Sequence, residues 1–219
     1  MNNSELTSFY IIRHGETHGN VANVLSGGNH DTELTDNGKS QAELKAQELR
    51  DTEFDFIIDT GLKRSQQTAE IINQERNIER LTAEALREKI YGKFEGKSRD
   101  EAKNELREAF REYETLTSDD EIMKFHLYPD GESDDEAITR FITKLRELAI
   151  AYPGKKMLVV AHGGVMRYFL IKLGLISYKD LGTHAIKNTA QILVESDGVD
   201  FFVRETTGIE GLTITKPSL

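Results

Sequence analysis

The chain has 219 residues, a net charge of −10, 37% hydrophobic residues and no cysteine, which fits one globular domain, or one with a large insertion, and excludes disulfides, thiolate metal sites and a cysteine nucleophile. The negative charge argues against a nucleic-acid partner, and no stretch approaches the roughly 20 apolar residues of a membrane span. Because residues 1–6 lack the basic region and apolar core of a secretory signal, we expect a cytoplasmic protein with no membrane partner.

The first half of the chain alternates short apolar runs with helical patterns. In chain order, the predicted elements are a strand over 8–13, a loop rich in Gly, Asn and Asp over 15–33, a helix from Thr35 to about Arg50, a strand over 56–58 and a helix from Leu62 to about Asn73. Short apolar runs that end at glycine are typical of buried parallel strands, and Thr35 is a suitable N-cap.

The second half repeats this alternation after a highly charged segment. The predicted elements are one amphipathic surface helix over 98–115, a helix opened by the capping box at 133–136, a strand over 157–161, a helix over 164–173 and a late hairpin formed by 192–194 and 201–203. Apolar residues at helical spacing support the helices, and an Asp-Gly turn supports the hairpin.

This order of elements predicts an α/β fold, a three-layer αβα sandwich with a mostly parallel central sheet. We expect a single domain over 1–219. The segment 92–132 lies between sheet elements and is expected to fold over the strand ends as a helical cap insertion, and the tail after about residue 205 is expected to fray.

Two histidines follow directly after apolar strands, His14 after the first and His162 after the later one. Ligands of open α/β sheets bind beyond the carboxyl ends of the strands, so one anion site is expected there. Arg13 and Arg64 suit phosphate because a guanidinium donates paired hydrogen bonds, and a neutral imidazole is a nucleophile at pH 7. Donors are also expected from Asn20, Ser26 and Gly27 in the loop after the first strand, and from Gly163 after His162.

The segment Arg13-His14-Gly15-Glu16-Thr17, with Asn20 three residues on, resembles the signature of the histidine phosphatase superfamily, the phosphoglycerate-mutase-like proteins. Further matches follow in the family's order across residues 8–194: Leu34-Thr35-Asp36-Asn37-Gly38, Leu62 to Ala69, Leu86-Arg87-Glu88 with Tyr91-Gly92 and Glu95-Gly96, Pro129 to Ser133, Val160 to Gly164, and Asn188-Thr189.

The resemblance implies a role for each matching residue. His14 would attack phosphorus and carry a phosphohistidine, and Glu88 would protonate the leaving oxygen and then activate water. The remaining residues would hold the phosphoryl group: Arg13, Arg64 and His162 as a clamp, and Asn20 and the Gly163 backbone as further donors. No metal or other cofactor is implied, since two arginines and an imidazolium can supply the positive charge.

The chain departs from the family pattern at three places. Gly19 stands where an aromatic residue is common before Asn20. The segment before Arg64 is usually rich in Ser with Pro or Asp, whereas here it is Asp59-Thr60-Gly61. The paired arginines of the cofactor-dependent mutases are not evident, and Arg107 and Arg111 fit the solvent face of the charged helix.

Several residues leave alternatives open. Glu95 competes with Glu88 as the acid, and Asn188 either starts a strand or reaches the pocket. His14 and His18 stand four apart, a spacing that would suit a metal on a helix, but Gly15 and Gly19 argue against a helix there. The other histidines are interpreted as loop or surface residues, with His18 and His30 near the mouth of the site: His18, His30, His126 and His184.

The sequence therefore predicts a metal-independent phosphatase that hydrolyses small phosphorylated metabolites through phosphohistidine. The alternative is a phosphoglycerate mutase, which returns the phosphoryl group to the substrate. An inactive phospho-ligand binding module is less consistent, because binding alone does not need both a nucleophile and an acid. The particular substrate and the oligomeric state are not encoded in any recognisable motif.

Overall fold

The computed structural model describes residues 5–215. Within that range there are six β-strands: β1 Thr7–Arg13, β2 Phe56–Asp59, β3 Glu79–Thr82, β4 Lys156–Ala161, β5 Ile186–Ser196 and β6 Phe201–Ile209. The same range holds eight α-helices: α1 His18–Val21, α2 Asp36–Glu48, α3 Lys63–Asn73, α4 Arg99–Glu105, α5 Arg107–Tyr113, α6 Asp119–Lys124, α7 Asp134–Ala151 and α8 Gly163–Lys172. The expectations about a leader at residues 1–4 and about the tail at 216–219 lie outside the described residues.

The six strands form one sheet in the order β3-β2-β4-β1-β5-β6. The first four of these run parallel to their neighbours, whereas β5 pairs antiparallel with both β1 and β6. The register aligns Arg13, the last residue of β1, with Ala161, the last residue of β4. The residues that follow these two strands therefore emerge side by side at one edge of the sheet.

Helices cover both faces of the sheet because β1 and β4 are apolar on both sides. Phe9 and Ile11 of β1 pack in a core with residues of α7 and α8, whereas Ile12 packs in a second core with residues of α2 and α3. The three-layer αβα sandwich expected from the sequence is thereby confirmed, with a mostly parallel central sheet.

The segment 92–132 packs over the loop that follows β1. Leu25 of that loop is fully buried in a small cluster with Phe94 and Tyr128. An isolated backbone bridge joins Val24 to Ser98, the N-cap residue of α4. These contacts tie the helical segment to the end of the sheet at which His14 and His162 lie.

Five local features differ from the sequence expectations. The charged helix expected over 98–115 is two helices, α4 and α5, which meet at Leu106; the bend lets Leu106 pack on the Leu25 cluster while Tyr113 faces Phe125. Strand β3 and helices α1 and α6 were not predicted, because each is short. The hairpin strands are longer than expected, so that residues 205–209, assigned to a frayed tail, belong to β6.

No helix within residues 5–215 is long and apolar enough to cross a membrane.

Candidate active site

The two strand-end histidines lie next to each other because their strands are paired. The His14 amide donates to the carbonyl of Ala161 at 3.1 Å, which extends the β1–β4 pairing by one residue. The ring centroids of His14 and His162 are 5.3 Å apart. Residues 148 positions apart in the sequence thus meet at a single site.

The His14 ring is buried and held in a defined tautomer. Its Nδ1 lies 2.7 Å from the Gly15 carbonyl oxygen, and because a carbonyl only accepts, Nδ1 carries the proton and Nε2 has a free lone pair. Burial, together with the nearby Arg64 and Arg13 guanidinium groups, lowers the pKa of His14 well below its usual value. His14 is therefore neutral at pH 7, as a nucleophile must be.

His162 is fully buried and also neutral. Arg64 Nε donates to its Nδ1 at 3.3 Å, so Nε2 carries the proton and donates to Thr60 Oγ1 at 2.9 Å. Burial lowers the pKa of His162 well below its usual value, and the charge of Arg64 lowers it further. The imidazolium expected from the sequence is therefore absent in this state, because a desolvated ring beside an arginine does not take up a second proton. A bound phosphate dianion would favour that second protonation.

The Arg64 side chain is fully buried, and all five of its N–H groups have partners. Besides His162, the acceptors are the Asp31 carboxylate at 3.1 Å and the backbone carbonyls of His30 at 3.1 Å, Gly27 at 2.9 Å and Ser26 at 3.4 Å. In this state Arg64 braces the loop after β1, and to clamp a phosphate it would have to exchange some of these partners. Gly27 contributes its carbonyl to Arg64 and does not line the cavity.

Arg13 and Ser26 carry buried polar atoms that lack partners. Arg13 donates through Nη1 to the Ile186 carbonyl at 2.6 Å, but neither its Nε nor Ser26 Oγ has a hydrogen-bond partner. Burial lowers the pKa of Arg13 to about 10, which leaves it charged at pH 7. Because buried polar groups are normally satisfied, two such atoms on the wall of one cavity indicate the place of a polar ligand.

The Glu88 carboxylate lies at the N-terminus of α8. It accepts hydrogen bonds from the backbone N–H groups of Gly164 at 2.7 Å, Val165 at 3.1 Å and Lys89 at 2.8 Å. A helix N-terminus favours an anion, and the missing Cβ of Gly164 makes room for this carboxylate. Glu95, the competing acid, instead accepts from the Asn29 and Tyr91 amides and does not line the cavity.

Asn20 and Asn188 link the loop after β1 to strand β5. Asn188 Nδ2 donates to the His14 carbonyl at 3.1 Å and to Asn20 Oδ1 at 3.3 Å. Since Asn20 Oδ1 also accepts from the Thr17 amide, the Asn20 side chain has only its N–H groups left for a ligand. Thr189 has a positive φ of 57° within the irregular part of β5, an unusual conformation for a β-branched residue.

These groups surround a cavity of about 100 Å³, small enough to restrict it to small ligands. Its lining is strongly cationic, with three arginines and one carboxylate: Arg13, His14, Asn20, Val24, Ser26, Glu88, Tyr91, Arg99, Gly163, Gly164, Arg167, Tyr168, Thr183, His184 and Ile186. Of the residues predicted from the sequence, Arg64, His162 and Gly27 lie behind this wall, and neither His18 nor His30 reaches it.

Three residues of the cavity lining were not predicted from the sequence: Arg99, Arg167 and His184. Arg99 was included in the solvated face of the charged helix, although it begins the helix that packs on the Leu25 cluster. Arg167 is 7% exposed, donates through Nε to the Leu181 carbonyl and stacks on Tyr178 at 4.6 Å. A signal for it was present, because Arg167 falls one helical turn after Gly163 and therefore on the same face of α8. His184 had been interpreted as a surface loop residue.

Within residues 5–215, no group of three or more His, Cys, Asp or Glu side chains is arranged to hold a metal ion. The positive charge of the cavity comes from arginine side chains.

Comparison with known proteins shows that the chain is similar to proteins named phosphatase and phosphoglycerate mutase. Residues 9–207 match the family model for the histidine phosphatase superfamily (branch 1). The uncharacterized phosphatase PhoE of Bacillus subtilis (strain 168) is 30% identical over 168 residues, which cover 77% of this chain and 78% of that protein. The probable phosphoglycerate mutase GpmB of Serratia proteamaculans (strain 568) is 31% identical over 172 residues, covering 78% and 77%. The solved structure of Bacillus stearothermophilus YhfR has a TM-score of 0.77 at 27% identity, covering 94% of this chain and 96% of that one.

Proposed function

The chain belongs to branch 1 of the histidine phosphatase superfamily, and we propose that it is a phosphatase that hydrolyses small phosphate monoesters through a phosphohistidine, without a metal ion. Relatives in this family are named both phosphatase and phosphoglycerate mutase. The observation that carries the proposal is the neutral His14, whose free Nε2 shares a cavity with the unsatisfied Arg13 Nε.

In the first step, His14 Nε2 attacks the phosphorus atom, and the bond from phosphorus to the ester oxygen breaks. Glu88, entering as the carboxylic acid, gives its proton to that oxygen, so that an alcohol leaves. Positive charge develops on the imidazole ring as the new N–P bond forms. The Gly15 carbonyl, already bound to Nδ1–H, stabilises this charge and keeps Nε2 directed into the cavity.

In the second step, water attacks the phosphohistidine. The Glu88 carboxylate takes a proton from the water, the N–P bond breaks, and inorganic phosphate and neutral His14 result. Arg13 and the N–H groups of Gly163 and Asn20 bind the phosphoryl oxygens in both steps. In this proposal, binding of the dianion also favours protonation of His162, and Arg64 exchanges some of its partners for the ligand, so that the two residues act as the clamp predicted from the sequence.

We further propose that the chain is a single domain in which the segment 92–132 acts as the cap of this site. The packing of Phe94 and Tyr128 on Leu25, and the presence of Arg99 in the cavity lining, support this organisation. The absence of cysteine supports a reducing compartment, and we propose a cytoplasmic location with a small phosphorylated metabolite as the partner.

Direct detection of the intermediate tests the proposal. The protein is mixed with a chromogenic phosphate monoester, quenched without acid, digested and examined by mass spectrometry. Phosphate is expected on His14, and the His14→Ala variant is expected to lose both the label and several orders of magnitude in turnover. Phosphate on His162, or turnover with no labelled histidine, would overturn the mechanism.

Chelation tests the proposed independence from metal. Turnover of the same ester is expected to be unchanged after dialysis against EDTA, because Arg13 supplies the charge beside the reacting phosphoryl group. Loss of activity that Zn²⁺ or Mg²⁺ restores would contradict this part of the proposal.

A mutase is the second candidate, because Arg99 and Arg167 line the cavity beyond Arg13 and could hold a second anionic group. Against it, the segment 97–132 has eleven Asp and Glu residues and only six Lys and Arg, which disfavours retention of a bisphosphate. NMR of a phosphoglycerate incubated with the protein separates the two: a phosphatase releases inorganic phosphate, whereas a mutase yields the positional isomer.

A further inference from the structure

The segment that carries Glu88 needs outside support to hold its shape. After a short 3₁₀ turn at Glu84–Leu86, the backbone becomes extended at Arg87 and runs through Glu88 to Ile90 without joining a helix or the sheet. A side chain that transfers protons must nevertheless be positioned closely, since a displacement of about 1 Å can cost a hundredfold in rate.

One arginine binds three backbone carbonyls of this segment. Arg140, on α7, donates through Nη1 to the carbonyls of Ala85 at 2.9 Å and Arg87 at 2.7 Å. Its Nη2 donates to the carbonyl of Glu88 itself at 2.8 Å. The planar guanidinium group fixes the directions of these donors, so the three carbonyls are held in one arrangement.

A glutamate completes the support. Glu132 accepts from Arg140 Nε at 2.7 Å through Oε1, and from Arg140 Nη2 at 2.8 Å and the Ile90 amide at 2.9 Å through Oε2. All five N–H groups of Arg140 are thereby used. The two side chains are only 23% and 17% exposed, so water competes little for these bonds. Arg140 and Glu132 together bind the backbone before and after Glu88.

We propose that Arg140 and Glu132 are positioning residues for the acid–base chemistry of Glu88, an inference that rests on the proposed function. The Glu88 carboxylate is bound at the N-terminus of α8 in the empty site, and it must move toward the ester oxygen during turnover. The arginine–glutamate pair holds the Glu88 backbone in place, so that the carboxylate moves by side-chain rotation alone and returns to the same position for the water step.

The test compares substrates that differ in their need for an acid. Arg140→Lys keeps the charge, but a single ammonium group cannot reach all three carbonyls. We expect this variant to lose about 10- to 100-fold in the phosphorylation rate with an alkyl phosphate. The loss should be less than about threefold with a nitrophenyl phosphate, whose leaving group departs without a proton. Arg146→Lys, on the exposed part of the same helix, is the matched control and should change neither rate.

Glu132→Gln provides a second variant that keeps the shape of the pair. It should show the same dependence on leaving group with a smaller loss, since Arg140 retains its carbonyl acceptors. Thermal melting shows whether each variant is folded at the assay temperature. Equal losses on both substrates in a folded variant would indicate a general structural role and overturn the proposal.

A double-mutant cycle separates this inference from the proposed role of Glu88. If Arg140 acts through Glu88, then Arg140→Lys should have little further effect on the alkyl phosphate in a Glu88→Gln background. If the two losses multiply, the positioning role is wrong while the role of Glu88 stands. If Glu88→Gln alone shows no dependence on leaving group, the acid assignment itself fails, and the positioning role fails with it.

Discussion

At the scale of single residues, burial controls the chemistry of this site. His14 and His162 are desolvated beside Arg64, and a carbonyl or a guanidinium fixes the tautomer of each ring. The consequence is a pair of neutral imidazoles whose basicity is suppressed until an anion enters. A cavity of this kind discriminates by charge, because only a ligand that brings negative charge offsets the repulsion among its own cations.

Both histidines should also make the stability of the protein depend on pH. Their native pKa values lie well below 6.5, whereas the unfolded chain binds protons below about pH 6.5. As the pH falls from 6.5 toward the native pKa values, the free energy of unfolding should therefore decrease by up to about 1.4 kcal/mol per pH unit for each histidine. Above pH 6.5 the two rings should not make the free energy of unfolding depend on pH.

Urea titrations from pH 8 to pH 5 would measure this effect. In His14→Gln, the free energy of unfolding should decrease less steeply below pH 6.5 than in the native protein. In His126→Gln it should decrease as steeply as in the native protein, because the His126 ring is half exposed. An unchanged pH dependence in the His14 variant would mean that folding does not lower the pKa of this ring.

Two neighbouring glycines separate the functions of Arg13 and Glu88. A Cβ at Gly163 would lie 3.2 Å from Arg13 Nε, and one at Gly164 would lie 2.8 Å from Glu88 Cδ. Gly163→Ala should therefore weaken phosphate binding and raise KM. Gly164→Ala should displace the Glu88 carboxylate and lower kcat by about 10- to 100-fold on alkyl phosphates.

Steady-state kinetics with alkyl and aryl esters would distinguish these two effects. Gly182→Ala is a suitable control, because a Cβ there meets no atom within 4 Å. The same kinetic change in both variants would show that the two side chains do not act separately.

At the scale of secondary-structure elements, the site depends on how strand ends and helix starts meet. The paired ends of β1 and β4 place His14 beside His162, and the start of α8 holds Glu88. Strand β5 adds Asn188, whose amide joins the His14 carbonyl to Asn20. The ends of paired elements thus bring together side chains that are far apart in the sequence.

The irregular part of β5 should carry measurable strain at Thr189. Its φ of 57° lies in the left-handed region, which costs a β-branched residue about 1–2 kcal/mol. Thr189→Gly should relieve this strain and raise the free energy of unfolding by about 0.5–1 kcal/mol, measured by chemical denaturation. A less stable variant would show that contacts of the Thr189 side chain outweigh the strain.

The elements that the sequence predicted are those with strong apolar patterns. The strands around residues 9–12 and 157–161 and the helix after Ser133 bury continuous or periodic apolar residues, and these patterns are readable without tertiary information. Strand β3 has the sequence Glu-Arg-Leu-Thr at an edge of the sheet, which gives no such pattern. The bend at Leu106 likewise depends on packing against the Leu25 cluster and not on local propensity.

The motif residues of the candidate site could be predicted from the sequence, but their hydrogen-bond partners could not. Short motifs indicate which residues take part, so His14, Arg13 and Glu88 could be named from the sequence. Their partners could not, because the bonds from Arg64 to Asp31 and from Glu88 to Gly164 join segments whose contact only the folded chain establishes. Arg99 was missed because a charged residue on an amphipathic helix is normally solvated. The direction of its side chain depends on how the segment 92–132 packs on the rest of the fold.

At the scale of the whole molecule, the sheet and the segment 92–132 share one cavity. Residues at the ends of β1 and β4 line it, and the segment 92–132 contributes Arg99 to the same lining. A molecule with a net charge of −10 thereby concentrates positive charge at one small place. Local arginines, and not the overall field, must account for the recognition of an anionic substrate.

Arg99→Ala should accordingly affect the recognition of the substrate and not the chemistry. For a phosphate ester that also carries a carboxylate, KM should rise about three- to tenfold, the effect of losing roughly 0.7–1.4 kcal/mol from one charged contact. For an aryl phosphate without a carboxylate, KM should change little. Arg107→Ala, on the outer side of the cap, is the control for total charge, and an equal change in both variants would contradict a specific contact.

The pairing of β1 has a consequence for how the protein is made. This strand leaves the ribosome well before its neighbours in the sheet, β4 and β5, which begin at residues 156 and 186. During synthesis, the apolar run at residues 9–12 therefore stays without its partner strands until about two thirds of the chain has followed it. Such long-range parallel pairing folds slowly and exposes aggregation-prone surface. A ribosome that stalls before residue 156 would hold a chain with His14 already made but without β4 and the His162 that follows it.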